Sequence, residues 1–205
     1  MLPPFSPLDL VALAVFAACA IIYPLVVDRI PAVRGNSVMA AMDIHRRHWM
    51  RAMVHREARI FDAAIIGNLM QSTAFLATTA IFILGGLMAM LGATDMGLRV
   101  VGMLPFAKAP DPALWEFKVA LLILIFVNAF FALTWSLRHA EVAATVANRA
   151  ARHFNSGLRG YCFGLAALAW LVHPLALMLA CLWVLRELYR REFKSVVRDA
   201  VMEDA

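Results

Sequence analysis

The chain has 205 residues, of which 63% are hydrophobic and 16% charged, with a formal net charge of +5. Ordinary soluble domains are about 45–50% apolar and about 25% charged, so this composition excludes a soluble enzyme, a disordered chain and a secreted disulfide scaffold. Four uncharged windows, residues 10–27, 63–94, 119–137 and 160–185, hold 95 of the 205 residues, and a bilayer needs about 20 apolar residues per helix.

The first expected element is a span over about 8–27. Ser6-Pro7-Leu8-Asp9 reads as its start, with Ser6 as cap, Pro7 at the first helical position and Asp9 in the first turn. No basic residue precedes it, so a cleaved signal peptide is not expected. From Ala40 to Leu91 the helical pattern continues without proline, predicting one long helix with a cytoplasmic part over 40–62 and a span over 66–92. Arg47, Arg51, His55 and Arg59 recur every four residues on one face. Residues 92–112 carry Gly97, Gly102, Pro105, Pro110 and Pro112 and read as a short external loop.

The third span, about 117–137, continues without glycine or proline to Asn155, predicting a second cytoplasmic helix over 138–155. Its Ala140, Ala143, Ala144, Ala147, Ala150 and Ala151 form a small-residue face suited to close packing. The two extensions are therefore expected to pair as an antiparallel cytoplasmic hairpin. A fourth span over 162–185 and a tail helix over 186–201 complete a single all-α integral membrane domain.

Lys and Arg mark the cytoplasmic side. The segments 28–62, 95–118, 138–159 and 186–205 carry seven, three, four and five of them. Four spans put both termini outside, which leaves the basic tail on the disfavoured side. A fourth segment broken at His173-Pro174 would return the tail to the cytoplasm, although 26 residues are short for two crossings.

Several segments carry a family likeness. His45-Arg46-Arg47-His48-Trp49-Met50, Asp62, Ile66-Gly67-Asn68-Leu69-Met70, Thr78-Thr79, Leu114-Trp115-Glu116-Phe117-Lys118, Thr134-Trp135-Ser136-Leu137-Arg138, Gly157-Leu158-Arg159, His173-Pro174 and Tyr189-Arg190-Arg191-Glu192-Phe193 resemble the domain of unknown function 599 family, membrane proteins of bacteria and plants. The resemblance runs from about residue 30 to 195. It implies a four-helix integral membrane protein and brings no catalytic residues with it.

Two constellations are candidates for function. Asn68, Gln71, Ser72, Thr78 and Thr79 of the second span, with Asn128 of the third and His173 of the fourth, are a possible polar path, or else hydrogen bonds between helices. His173 has a further local reading: Pro174 frees a backbone carbonyl near Trp170 that the imidazole could satisfy. Arg46, Arg47, Arg51, Arg56 and Arg59 suit anionic headgroups, a network with Asp43, Glu57 and Asp62, or a bound anion. Trp115, Trp135, Tyr161 and Trp183 read as interface anchors, and Cys19, Cys162 and Cys181 as buried free thiols. No nucleophile with a base, paired carboxylate, phosphate loop or zinc set is apparent, so neither an enzyme nor a cofactor or metal is expected, and no nucleic-acid partner.

The leading expectation is a small homo-oligomeric channel or transporter of the inner or plasma membrane. The alternative is a non-transporting adaptor or lipid-organising protein whose basic hairpin engages anionic lipid or a cytoplasmic partner.

Overall fold

The computed structural model describes residues 5–35, 37–57, 60–104, 111–140 and 144–194, and over these the chain is helical with no strand. The elements are α1 (Pro7–Ala17), a π-helical turn (Ala18–Ile22), α2 (Tyr23–Arg29), α3 (Pro31–Arg34), α4 (Val38–Val54), α5 (Ile60–Gly92), α6 (Thr94–Gly102), α7 (Pro112–Ala140), α8 (Ala144–Leu168), a 3-10 turn (Ala169–Leu171) and α9 (Pro174–Phe193). Three stretches are long and apolar enough to cross a membrane: Pro7–Arg29, Ile60–Gly92 and Pro112–Arg138.

The start of α1 follows its sequence signature. The Asp9 backbone N–H donates to Ser6 Oγ, and Pro7 occupies the first turn. The π turn lies directly before Tyr23-Pro24. Pro24 has no N–H to donate to the preceding turn, so the helix loosens there rather than breaking.

Two expectations about helix continuity are overturned. The predicted helix over 40–91 is divided, because α4 stops at Val54 and residues 55–57 leave helical geometry. A carboxylate stabilises the break. Asp62 in the first turn of α5 accepts from Trp49 Nε1 (2.7 Å) on α4 and from Arg56 (2.9 Å) in the connection. The second is the extension of the third span over 138–155, which is not a continuation of α7. The chain turns back after Ala140, and α8 packs antiparallel along α7. Ser136 Oγ donates to the Ala150 carbonyl (2.9 Å), and Lys118 Nζ to that of Trp170 (3.1 Å), so paired positions add to a nearly constant number along the two helices. The Ala150 carbonyl takes its donor from α7, and the side chains of residues 139–148 lie outside the described residues.

Glycine lets α7 and α8 approach. A Cβ on Gly157 would sit 2.8 Å from Leu133 Cγ and 3.1 Å from its backbone nitrogen, and one on Gly164 would sit 2.9 Å from Phe126 Cζ. The core beside them contains Phe16, Cys19, Trp115, Leu122, Phe126, Phe163, Trp170, Leu177 and Cys181.

The expected fourth span over 162–185 is likewise not one helix. It is interrupted by the 3-10 turn and by His173, whose extended backbone (φ −159°, ψ 141°) precedes Pro174. Trp170, before the break, bonds Asp9 near the start of α1. Glu192, at the end of α9, accepts from the Met39 backbone N–H at the start of α4. α9 therefore runs parallel to α1–α2 and returns to the end of the bundle where α2 finishes. The tail helix expected over 186–201 is the last part of α9 as far as Phe193, and its remainder lies outside the described residues. We call the end with Asp28, α4 and Glu192 the basic end.

Replacing Gly157 by Leu should displace Leu133 and its backbone and lower stability by about 1–3 kcal/mol. Gly67→Ala, where a Cβ meets nothing within 4 Å, should leave the melting temperature in detergent nearly unchanged.

Candidate functional site

Two buried charge clusters tie α1–α2 to the rest of the bundle, one at each end. At the far end, Asp9 and Lys118 are each only 4% exposed. Asp9 Oδ1 accepts from Trp170 Nε1 (2.8 Å) and lies 3.4 Å from Lys118 Nζ, while Ser6 Oγ donates to Oδ2 (2.6 Å). Lys118 Nζ also donates to the Trp170 carbonyl and stands 4.9 Å from the centre of its indole ring. A charge taken out of water is tolerated only when paired and hydrogen-bonded, and here each charge has several partners. Phe5, Phe117 and Trp170 stack edge to face around the cluster.

At the basic end Arg159, buried on α8, donates through one terminal nitrogen to both oxygens of Asp28 (3.1 and 2.9 Å). The guanidinium lies 5.7 Å from the centre of the Tyr23 ring, and its other nitrogen approaches Met39 Sδ at 3.9 Å. Asp28 is half exposed, so this pair opens to solvent on one side while the Asp9–Lys118 pair is sealed. A third cluster, Trp49, Arg56 and Asp62, closes the α4–α5 break. Asp62 is 1% exposed, and its Oδ2 has no hydrogen-bond partner among the described residues.

The polar residues expected to line a path are not brought together within the chain. Asn68, Gln71, Ser72 and Thr78 lie exposed on α5, and Asn128 is exposed on α7. Ser72 Oγ donates to the Asn68 carbonyl of its own helix. Thr79 alone turns inward, donating to the Leu76 carbonyl and accepting from Tyr161 OH (3.2 Å). His173 caps α9, its Nδ1 accepting from the Leu175 N–H (3.1 Å). The carbonyl of Trp170 takes its donor from Lys118, not from His173.

Of the basic ridge, Arg46 pairs with Asp43 and Arg56 with Asp62, while Arg59 lies outside the described residues. Arg47 and Arg51 are exposed and share a stripe of α4 with exposed Ile44 and His48. Among the aromatic residues expected at interfaces, Trp135 and Trp183 are exposed, whereas Trp115 is fully buried. Its indole edge is pressed against α6 at Gly97, where a Cβ would come within 2.5 Å of Cζ2. Cys19 and Cys181 are buried free thiols, and Cys162 is partly buried. Among the described residues no three His, Cys, Asp or Glu side chains converge on one point.

The matched pairs Asp9–Lys118 and Asp28–Arg159 were missed by inspection of the apolar windows because each charge lies at or just beyond a window's edge. Every one of these helices carries one such charge, and the signs are complementary: acids on α1–α2, bases on α7 and α8. That complementarity was the available signal.

The model of the family described as "Protein of unknown function, DUF599" matches the chain over residues 11–144 and 138–197. The chain belongs to this family. No curated protein and no solved structure matches the chain. Within the DUF599 match lie Asp28, Asp62, Lys118, Arg159 and Trp170, while Asp9 falls just before its start.

Removing one partner from the sealed pair leaves a buried charge unpaired, so Lys118→Met should cost about 3–5 kcal/mol. The double variant K118M/D9L should recover most of that loss. Unfolding of the purified protein in mixed detergent micelles measures both.

Proposed function

We propose that this protein is a non-transporting membrane scaffold whose basic end binds the headgroups of anionic lipids. The observation that carries this reading is the exposed stripe Ile44, Arg47, His48 and Arg51 on α4, a separate helix packed on the ends of α8 and α9. An apolar residue and two arginines on one stripe suit a helix lying in the interface, with arginine stems along the acyl boundary and guanidinium groups among phosphates. Arg29, Arg186, Arg190 and Arg191 add exposed charge at the same end. A path through a single chain gains no support from polar side chains that face outward, nor from a core filled by Phe16, Phe163, Leu177 and Cys181.

The orientation follows from the same charges. We read α1–α2, α5, α7, α8 and α9 as five crossings with the N-terminus outside. α8 and α9 have 25 and 20 residues; their apolar parts, 160–168 and 174–185, are shorter than the roughly 20 residues of a full span, and charged ends with Arg149, Arg152, Arg159 and Arg186 extend them at the cytoplasmic side. Sixteen of nineteen Lys and Arg, those of 28–62, 138–159 and 186–205, then belong to segments that reach the cytoplasmic side, as the positive-inside rule asks.

Each basic residue near an anionic surface contributes about 1 kcal/mol, so R47Q/R51Q should weaken anionic-lipid binding by about 30-fold. Native mass spectrometry of protein extracted in mild detergent reads this as loss of bound anionic lipid, with zwitterionic lipid unchanged. Equal retention in the variant would defeat the lipid reading. For the orientation, a fluorescent protein fused after Ala205 should fluoresce and alkaline phosphatase fused there should be inactive; the reverse pattern would exclude five crossings.

A further inference from the structure

The last turn of α5, α6 and the first turn of α7 enclose a cleft of about 350 Å³, a size within the roughly 300–1,000 Å³ of small-ligand sites. Its walls include Ala89 in α5, Ala93 at the α5–α6 corner, Met96, Gly97 and Val100 of α6, and the Trp115 ring. None of its described lining residues is charged. Ala89 belongs to the last turn of the stretch Ile60–Gly92, and Trp115 to the first turn of Pro112–Arg138, both apolar enough to cross a membrane. The cleft therefore lies at the boundary between hydrocarbon and headgroups, whichever side of the membrane that end faces.

One polar atom in these walls lacks a partner. Trp115 is fully buried, and its Nε1–H donates to no described residue, although a buried indole N–H ordinarily finds an acceptor. The indoles of Trp49 and Trp170 do so, on Asp62 and Asp9. The Trp115 ring edge that carries Nε1 is the edge turned to Gly97: a Cβ there would come within 2.5 Å of Cζ2 and 3.0 Å of Cε2, the carbon bonded to Nε1. Gly97 is itself a wall of the cleft, so the donor lies on the seam between α6 and α7 that borders it. That seam is lightly closed. Of the nine residues of α6 only Val101 is buried, and an element with few buried contacts moves locally at low cost.

We infer that the cleft takes one acyl chain of a bilayer glycerolipid, whose ester carbonyl accepts from Trp115 Nε1–H as α6 eases off the ring edge. The apolar walls suit a hydrocarbon chain, and the orphan donor asks for a neutral oxygen acceptor. The depth is that of the interfacial layer next to the hydrocarbon, where the ester carbonyls of glycerolipids lie. A phosphate would meet no cation among the described walls. Ala89 and Ala93 are small and exposed, which leaves the entrance open to a chain from the bilayer. This site is at the opposite end from α4 and does not rest on headgroup binding there.

The test uses full-length protein stripped of lipid in detergent and titrated with phosphatidylcholine, read by native mass spectrometry. Wild type should retain one diester phosphatidylcholine. It should bind the diether analogue of equal chain length, which has no carbonyl, about 5–100-fold more weakly, the range spanned by one hydrogen bond to a buried donor. Ala89→Leu, which fills the cleft from an exposed position, should abolish retention, and Trp115→Phe should bind both lipids alike. Phosphatidylcholine has no net charge, so R47Q/R51Q should bind it as wild type does, and the two lipid readings fail independently. Equal binding of diester and diether lipid by wild type would overturn the proposal and leave the indole N–H to water. Full retention by an Ala89→Leu protein of normal melting temperature would overturn it as well. Both of these results decide the matter even if Trp115→Phe does not fold.

Discussion

The bundle depends on how it satisfies a lysine buried in an apolar setting. Lys118 needs acceptors for its ammonium protons, and two are supplied from different parts of the chain: the Asp9 carboxylate and the Trp170 carbonyl. That carbonyl is available because the helix ends there, at a 3-10 turn followed by the extended His173 and Pro174. The charge therefore needs the break, and the break needs the charge. Trp170 completes the arrangement by donating its indole N–H to Asp9, so α1, α7 and the α8–α9 junction are held by one hydrogen-bonded unit. Partly satisfied, the same unit would be destabilising, because unpaired polar groups in a low-dielectric interior carry their full desolvation penalty.

The same logic recurs at the basic end with a different exposure. Arg159 is buried, but Asp28 keeps half its surface open, so the guanidinium reaches a wet carboxylate rather than a sealed one. Between the two pairs the space is filled by Phe16, Cys19, Phe163, Leu177 and Cys181. Polar contacts thus fix the two ends and apolar packing fixes the middle.

The sequence made the class and the start of the first helix legible, because both are local. Apolar windows follow from residue type, and the Ser6-Pro7-Asp9 cap is built within four residues. The reversal between α7 and α8 was not legible. Residues 114–155 contain no proline or glycine, and residues 141–143 between the two helices lie outside the described ones; what stabilises the pairing is the distant match of Gly157 and Gly164 with Leu133 and Phe126. The α4–α5 break was hidden for a similar reason, since it relies on Asp62 collecting donors up to thirteen residues away. For the site, the sequence names polar residues but not which way they face. Helical spacing places Asn68, Gln71 and Thr78 broadly on one side without saying whether that side meets the chain's own core.

The π turn in the first span has a geometric consequence. Nineteen residues separate Asp9 from Asp28, and in a regular α-helix they would end about 100° apart around the axis, since each residue advances about 100°. A π turn accommodates one extra residue within a turn, which removes close to that amount of rotation and brings the two carboxylates into angular phase. Arg159 on α8 and Trp170 in the 3-10 turn that follows it are eleven residues apart, within about 20° of three full turns of α-helix. The loosened turn beside Cys19 therefore acts as a vernier: it sets both carboxylates of the first span toward the partners they meet at the two ends of the bundle.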